Sequence, residues 1–258
     1  MAGLDAYSDQ EFYKQLQEIV QLLVMNACIV PVNDPQAILL GGQSGSGKTM
    51  LHCIYRDAFE HNVIVINGDD YRARHPRFEQ ISERYGVESP TYTAAWAGRM
   101  VEAVIDALSI MRYNLVIEGT LRTSAAPLKT AELLRSRGYD VSLALMAVKP
   151  EISLVSCQLR YEQMRIAGTE PRAVDPAHHR LIVEGIVDNL RALENSGMFA
   201  TVSLYARNEQ RLFFSGDSEG AGRASEALEK ILFGTWTEEE RKHLAYLERR
   251  LGAARAIG

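Results

Sequence analysis

The stretch GGQSGSGKTM, residues 41–50, lies between the apolar run AILL and the helix-patterned segment LHCIYRDAF. It fits the pattern G-x-x-x-x-G-K-[ST], in which glycines allow backbone N–H groups to converge on phosphate oxygens at the start of a helix. Lys48 would reach the β- and γ-phosphates of a nucleotide, and the Thr49 hydroxyl would ligate Mg²⁺. The pattern predicts a nucleotide-binding site formed by Gly42, Gln43, Ser44, Gly45, Ser46, Gly47, Lys48 and Thr49.

Short apolar runs alternate with longer helix-patterned segments along the chain. The predicted strands are AILL (37–40), VIVI (63–66), LVIE (115–118), VSLALMAV (141–148) and TVSLY (201–205). Helical patterns include TAAWAGRMVEAVIDALSIM and PLKTAELLRSRG, and the second should end in a left-handed cap at Gly138. This alternation predicts an α/β fold with a mostly parallel sheet flanked by helices.

The sequence predicts one domain spanning residues 1–258. Residues 1–35 form an N-terminal helical segment, residues 36–215 the core with a lid region at about 151–180, and residues 216–258 a C-terminal helical appendage. Capping-box spacing in SDQE (8–11) and TEEE (237–240) predicts the start of a helix in each terminal addition. The loop-like run FSGDSEGAGRAS separates the core from the appendage.

Composition limits the partners and the compartment. With 47% hydrophobic and 24% charged residues, the 258-residue chain can bury a substantial core, while its net charge of −5 gives no broad attraction for nucleic acid. Basic groups must therefore cluster locally to bind an anion. We expect no membrane association, because the run LLVMNACIV is too short and the lead-in lacks a basic start. We expect a cytoplasmic protein with buried thiols at Cys28, Cys53 and Cys157.

Nucleotide binding leaves three classes of protein open: a small-molecule kinase, a signalling GTPase and an ATP-driven regulatory module. The Asn-Lys-x-Asp segment with which a GTPase reads guanine is absent from the sequence. A kinase needs an acidic residue near the acceptor hydroxyl and cations around the transferring phosphoryl group. Both features occur here. The sequence therefore predicts a P-loop NTPase core of kinase-like type at residues 36–215, within a single P-loop kinase domain spanning residues 1–258.

The acidic candidates follow two predicted strands. VIVI leads into NGDDYRARHP, which places Asp69 and Asp70 at the carboxyl edge of the sheet, where doubly wound sheets bind ligands. The alternative is a turn in which these aspartates cap a helix. LVIEGTLRT likewise ends a strand with Glu118, followed by Thr120 and Arg122. Two strands that both end in acidic residues beside a phosphate-binding loop indicate a ligand-binding site rather than a chance arrangement.

The cationic candidates lie in the predicted lid. Arg160 is in QLRYEQMR and Arg172 is in TEPRAVDP, and as a pair they could stabilise the charge of a transferring phosphoryl group. His178 and His179, at the start of a predicted helix, are not accompanied by other metal ligands and are interpreted as a solvated pair.

Six segments, GGQSGSGKT, INGDDYRARHP, AGRMVEA, NLVIEGTLRT, RYEQM and PRAVDP, occur in an order and spacing that resemble the zeta-toxin family. The likeness is to the PezT-type toxins of epsilon/zeta toxin–antitoxin systems, and it covers nearly the whole chain, from YSDQEF to LFGTW. The resemblance implies a toxic kinase that transfers the γ-phosphoryl group of ATP to the 3'-hydroxyl of the N-acetylglucosamine moiety of UDP-N-acetylglucosamine. The product blocks peptidoglycan precursor synthesis.

The resemblance also implies roles for single residues. Lys48 and Thr49 serve ATP and Mg²⁺, Asp69 is the base for the sugar hydroxyl, and Arg160 and Arg172 bind the ATP phosphates. The residues matched to the UDP-sugar pocket are Glu102, Glu118, Thr120, Arg122 and Thr130. The expected partner is an epsilon/PezA-type antitoxin, a small helical protein that obstructs the ATP site.

Some alternatives stay open. Where the family has Ser or Thr after the catalytic aspartate, this chain has Asp70, and we favour Asp69 because successive side chains leaving a strand point in opposite directions. Without the resemblance, Glu102 would be interpreted as an exposed helix residue. The acceptor could instead be an antibiotic or a nucleoside, or the chain could be a non-catalytic ATP-binding module.

Overall fold

The computed structural model describes residues 3–25, 28–169, 173–217 and 222–257. Within these ranges one sheet has the strand order β2-β3-β1-β4-β5-β6. Its strands are β1 (Gln36–Gly41), β2 (Ile64–Ile66), β3 (Leu115–Glu118), β4 (Asp140–Met146), β5 (Val202–Tyr205) and β6 (Arg211–Phe214). The first five are parallel and correspond to the five predicted strands, whereas β6 pairs antiparallel with β5.

β6 was not predicted from the sequence. Its four residues RLFF follow a turn, and only Phe213 among them is buried, so this segment is more exposed than β1, β3, β4 and β5. Pairing on only one side, at the edge of the sheet, makes such a strand possible.

The helices cover both faces of the sheet. They are α1 (Asp9–Val24), α2 (Thr49–Ala58), α3 (Phe78–Tyr85), α4 (Ser89–Tyr92), α5 (Ala94–Ile110), α6 (Ala125–Ser136), α7 (Pro150–Ile166), α8 (Pro176–Asn195), α9 (Ala224–Phe233) and α10 (Glu238–Ala256), with 3₁₀ helices at Gly68–Arg74 and Gly86–Glu88. The capping boxes predicted at Ser8 and Thr237 are present, and Gly138 has the expected positive φ of 78°.

Alternate residues of β1 pack into two separate cores. Ala37 and Leu39 belong to the larger core, which also contains Phe12 and Trp96, whereas Ile38 and Leu40 belong to the smaller one. This division follows from the two-residue period of a strand and confirms the predicted α/β fold with helices on both sides.

The helices at the two ends of the chain pack on this body. α1 contacts α5, α9 contacts α8 and β5, and α10 lies along α7. No helix among the described residues combines the length and the apolarity needed to cross a membrane. The expectation of three buried thiols is wrong for two of them, since Cys157 is buried but Cys28 and Cys53 are exposed on the surface.

Candidate active site

The phosphate-binding loop connects β1 to α2 exactly where the sequence pattern requires it, between Gly41 and Thr49. Gly42 and Gly45 have φ values of 132° and 75°, in the region that favours glycine. A Cβ on Gly45 would lie 2.2 Å from the backbone oxygen of Ser153 on α7. The loop is therefore packed closely against α7, and a side chain at Gly45 would displace it.

Lys48 is buried at the base of this loop. Its Nζ donates to the carbonyl oxygen of Gly42 at 2.9 Å and lies 3.8 Å from Oε1 of Glu118. Burial lowers the pKa of the Lys48 ammonium from its ordinary value, whereas the carboxylates of Glu118 and Asp69 raise it and Arg160 lowers it further. Asp69 and Arg160 therefore both lie within electrostatic range of Lys48.

A cleft of about 390 Å³ opens over the loop. Its lining comprises Gly45, Gly47, Lys48, Thr49, Met50, Glu118, Ser156, Arg160 and Arg207. Three of these side chains are cationic in a protein of net charge −5, which is the local cluster that an anionic ligand needs. Arg160 is placed there by α7, as the sequence indicated.

Two residues near the loop were missed by sequence reasoning. Arg207 comes from the segment after β5, at the same edge of the sheet as the loop, and it follows the predicted strand TVSLY by two residues. His52 lies one helical turn after Lys48 on α2, and its Nε2 is 2.8 Å from Oε2 of Glu118. Arg207 could have been identified because it follows a strand end, and His52 could have been identified because it lies one helical turn after Lys48.

Asp69 lies in a 3₁₀ helix that begins at Gly68, two residues after the end of β2. β2 stops at Ile66, and the side chain of Asn67 caps the helix by accepting from the backbone N–H of Asp69 at 3.1 Å. The capping residue is thus Asn67 and not an aspartate. The preference for Asp69 over Asp70 assumed that successive side chains leaving a strand point in opposite directions. Because both residues lie in the 3₁₀ helix, that argument does not apply to them.

Arg72 fixes the carboxylate of Asp69. Its Nε donates to Asp69 Oδ1 at 2.7 Å, and its Nη1 donates to the Pro90 carbonyl oxygen at 2.7 Å and to the Thr93 hydroxyl at 3.1 Å. The Asp69 side chain is 53% exposed. An arginine anchored to the α4–α5 junction therefore holds a carboxylate that solvent or a ligand can reach.

The other acidic and hydroxyl candidates lie on α5, on α6 and between β3 and α6. Glu102 is 68% exposed on α5, and its Oε2 is 3.1 Å from Lys129 Nζ on α6. The Thr130 hydroxyl, on α6, donates to the Ala126 carbonyl oxygen at 3.1 Å. Gly68 precedes Asp69 in the chain, and Val101 precedes Glu102. A Cβ on Gly68 would lie 3.2 Å from Val101 Cγ2, so the neighbours of these two acidic residues are in contact.

Thr120 and Arg122 flank Leu121, which is buried with an unusual φ of 55°. Asn189 of α8 donates through Nδ2 to the carbonyl oxygens of Leu121 and Arg122, each at 2.9 Å. This asparagine, also missed by sequence reasoning, fixes a strained loop. Among the described residues that line the cleft over the phosphate-binding loop, only Glu118 belongs to the predicted sugar pocket.

Two further predictions have different outcomes. Arg172, predicted to bind the ATP phosphates, lies outside the described residues. The interpretation of His178 and His179 as a solvated pair is wrong for His179, which is buried with Nε2 2.9 Å from the Ser153 hydroxyl oxygen. Burial lowers the pKa of His179.

Comparison with known proteins agrees with this architecture. The family model described as Zeta toxin matches residues 22–219. The chain is 42% identical over 246 residues to Toxin PezT of Streptococcus pneumoniae serotype 4, covering 95% of this chain and 96% of that protein. It is 34% identical over 235 residues to Toxin zeta of Streptococcus pyogenes, covering 90% and 80% of the two chains.

A solved structure from a study of the PezAT chromosomal toxin–antitoxin system of Streptococcus pneumoniae superposes with a TM-score of 0.89 at 38% identity, covering 99% of this chain and 100% of that one. A match of this extent in both sequence and structure identifies the family. The chain belongs to the zeta-toxin family.

Proposed function

We propose that this chain is the toxin of a toxin–antitoxin system and acts as an ATP-dependent kinase. It transfers the γ-phosphoryl group of ATP to the 3'-hydroxyl of the N-acetylglucosamine moiety of UDP-N-acetylglucosamine, and the product blocks peptidoglycan precursor synthesis. Family membership supports this proposal, as do the names of the relatives, Toxin PezT and Toxin zeta.

The observation that carries the kinase proposal is the arrangement around Lys48. A glycine-rich loop, a buried ammonium and the guanidinium of Arg160 share one cleft, and the charge of Asp69 acts on the same ammonium. Phosphoryl transfer needs a phosphate cradle, cations and an acid near the acceptor, because catalysis of this reaction depends on positioning and charge stabilisation.

The nucleotide would occupy the cleft over the loop. The backbone N–H groups of residues 42–49 and the start of α2 favour phosphate oxygens, and Lys48 would exchange its bond to the Gly42 carbonyl for the β- and γ-phosphates. Arg160, and Arg172 outside the described residues, would stabilise negative charge on the transferring group.

The donors in the cleft fit a magnesium ion. Thr49 and Glu118 both line the cleft, and their side chains carry the hard oxygen ligands that Mg²⁺ prefers. Thr49 would bind the ion, with Glu118 beside it. When bound, the ion would neutralise charge on the phosphates.

The acceptor would approach from the side of Asp69. This carboxylate would take the proton of the sugar hydroxyl, whose oxygen forms a bond to the γ-phosphorus as the bond to the ADP oxygen breaks. Glu102, Glu118, Thr120, Arg122 and Thr130 would surround the UDP-sugar. We also propose an epsilon/PezA-type antitoxin as partner, supported by the toxin–antitoxin system from which the similar solved structure comes.

The test is to incubate the purified protein with ATP, Mg²⁺ and UDP-N-acetylglucosamine and to analyse the mixture by mass spectrometry. ADP and a sugar nucleotide carrying one additional phosphate should accumulate, and Lys48→Ala should abolish both. A parallel panel of antibiotics and nucleosides tests other acceptors. Turnover on one of them alone would reject the sugar-nucleotide substrate, and ATP binding without turnover on any acceptor would reject the kinase.

A further inference from the structure

Arg207 has a set of contacts that the proposed reaction does not use. Its Nε donates to the Ser46 carbonyl oxygen at 3.1 Å, and its Nη2 donates to the carbonyl oxygen of Gly45. A Cβ on Gly47 would lie 3.7 Å from both Cγ and Nε of Arg207, so the side chain also lies against this glycine. One guanidinium therefore contacts three consecutive residues of the phosphate-binding loop.

These carbonyl groups determine how the loop presents its N–H groups. Each peptide plane carries its carbonyl opposite its N–H, so fixing the carbonyls of Gly45 and Ser46 fixes the N–H groups of the following residues. The planar fork of an arginine holds two neighbouring oxygens in a fixed geometry, whereas a lysine ammonium contacts them as a flexible point charge. The loop is also glycine-rich and would otherwise retain considerable conformational freedom.

The third nitrogen of the guanidinium reaches the C-terminal helix. Arg207 Nη1 lies 3.3 Å from Nε2 of His243 on α10. Because a guanidinium only donates, Nε2 of His243 must accept, which requires a neutral imidazole with its proton on Nδ1. α10 packs along α7, and α7 supplies Arg160 to the same cleft. The C-terminal helix is thereby connected to the loop through one side chain.

We propose that Arg207 is a positioning residue that holds the phosphate-binding loop in its binding conformation, and that His243 keeps the guanidinium in place. The C-terminal helix is then part of the nucleotide site. This inference rests on the proposed binding of ATP to the cleft, and it does not depend on the identity of the acceptor.

The first test measures ATP affinity by isothermal titration calorimetry with ATP and Mg²⁺ and without any acceptor. Arg207→Gln should weaken binding about 10-fold to 100-fold, the range expected when hydrogen bonds to a charged group are lost. Arg207→Lys should restore part of this loss. Arg249→Gln, which removes the same charge from an exposed position of α10, should leave the affinity unchanged.

The second test separates positioning from general destabilisation through a double-mutant cycle. His243→Gln keeps an acceptor beside Arg207 and should bind ATP nearly as the unmodified protein does, whereas His243→Lys places a cation there and should weaken binding. In the Arg207→Gln background, His243→Lys should have no further effect. If the losses of ATP affinity caused by Arg207→Gln and His243→Lys were additive in the double variant, the two residues would act independently, and the proposal would be overturned.

Hydrogen–deuterium exchange of the protein without nucleotide gives a direct measurement on the loop. In Arg207→Gln, peptides that cover residues 42–49 should exchange faster, while those that cover the β3–α6 connection should not change. If Arg207→Gln fails to fold, Arg207→Lys and His243→Lys provide the same comparison. If the variants keep the ATP affinity and the loop exchange of the unmodified protein, the positioning role of Arg207 is overturned and the proposed function is not. If the unmodified protein binds no ATP, the proposed function is overturned as well.

Discussion

Lys48 and Asp69 lie within electrostatic range of each other, yet their surroundings differ in kind. Lys48 is 9% exposed and bonded to backbone oxygens of a tightly packed loop, whereas Asp69 is 53% exposed and held by the side chain of Arg72. We call residues 42–49 with Arg160 and Arg207 the nucleotide side, and Glu118, which lines the same cleft and is also proposed to contact the sugar, belongs to both sides. The acceptor side comprises Asp69, Glu102, Thr120, Arg122 and Thr130.

The difference shows how the two sides are built. The nucleotide side is mainly one continuous segment between β1 and α2, and both backbone packing against α7 and the contacts of Arg207 shape it. The proposed acceptor side draws on a 3₁₀ helix, α5, α6 and a strained loop, in which Arg72 holds the Asp69 carboxylate and Asn189 holds the loop. We therefore expect changes on the acceptor side to impair transfer while ATP binding persists.

The largest effect is expected for Asp69→Asn. Loss of a general base lowers kcat by about 10²- to 10⁴-fold, and ATP affinity should stay within about twofold because Asp69 is outside the cleft lining. Steady-state kinetics and calorimetry measure the two quantities. Asp70→Asn is the matched control and should stay active. Inactive Asp70→Asn together with active Asp69→Asn would reverse the assignment of the base.

Arg72→Gln should lower kcat about 10- to 100-fold, because the Asp69 carboxylate loses the group that orients it and small misplacements are costly. ATP affinity should again be preserved. Arg74→Gln is the control on the same 3₁₀ helix, since Arg74 is paired with Glu18 at 3.9 Å and not with Asp69. Equal kinetics for the Arg72 and Arg74 variants would show that Arg72 does not position the base.

Asn189→Ala tests whether the strained loop belongs to the acceptor side. Removing its hydrogen bonds to the Leu121 and Arg122 carbonyl oxygens should raise the KM for the acceptor about 10-fold and leave the KM for ATP unchanged. Glu184→Gln, an exposed change on the same helix, should alter neither constant. A rise in the KM for ATP alone would assign the loop to the nucleotide side.

The smallest effect concerns the dependence of stability on pH. Burial lowers the pKa of His179, so below the ordinary histidine pKa of about 6.5 the unfolded chain binds a proton that the folded chain does not. Stability should therefore fall as the pH drops below about 6.5. Thermal melting between neutral and mildly acidic pH should show a weaker decline in His179→Gln than in the exposed control His178→Gln. Identical declines would contradict this contribution.

The parts of the fold that depend on local pattern were predictable from the sequence. The five parallel strands, both capping boxes and the left-handed end at Gly138 each follow from a short run of residues. β6 was not predictable in this way, because its pairing depends on a neighbouring strand rather than on its own apolar content.

The site was predictable in part. The phosphate-binding loop is one segment, but the contacts of Arg207 and Asn189 join positions far apart in the chain and arise only from tertiary packing. The 3₁₀ helix of Asp69 depends on the Asn67 cap, a local side-chain hydrogen bond that the strand pattern of VIVI does not indicate. The burial of His179 had a sequence signal, since it is followed at helical spacing by Ile182, Val183 and Ile186, all buried.

The position of the transferred phosphate tests the central claim most directly. The product formed from ATP and UDP-N-acetylglucosamine can be examined by phosphorus–proton correlation NMR. The account predicts coupling between the new phosphorus and the proton on carbon 3 of the N-acetylglucosamine ring. A phosphate on the uridine ribose, on another sugar carbon or on no acceptor at all would contradict it.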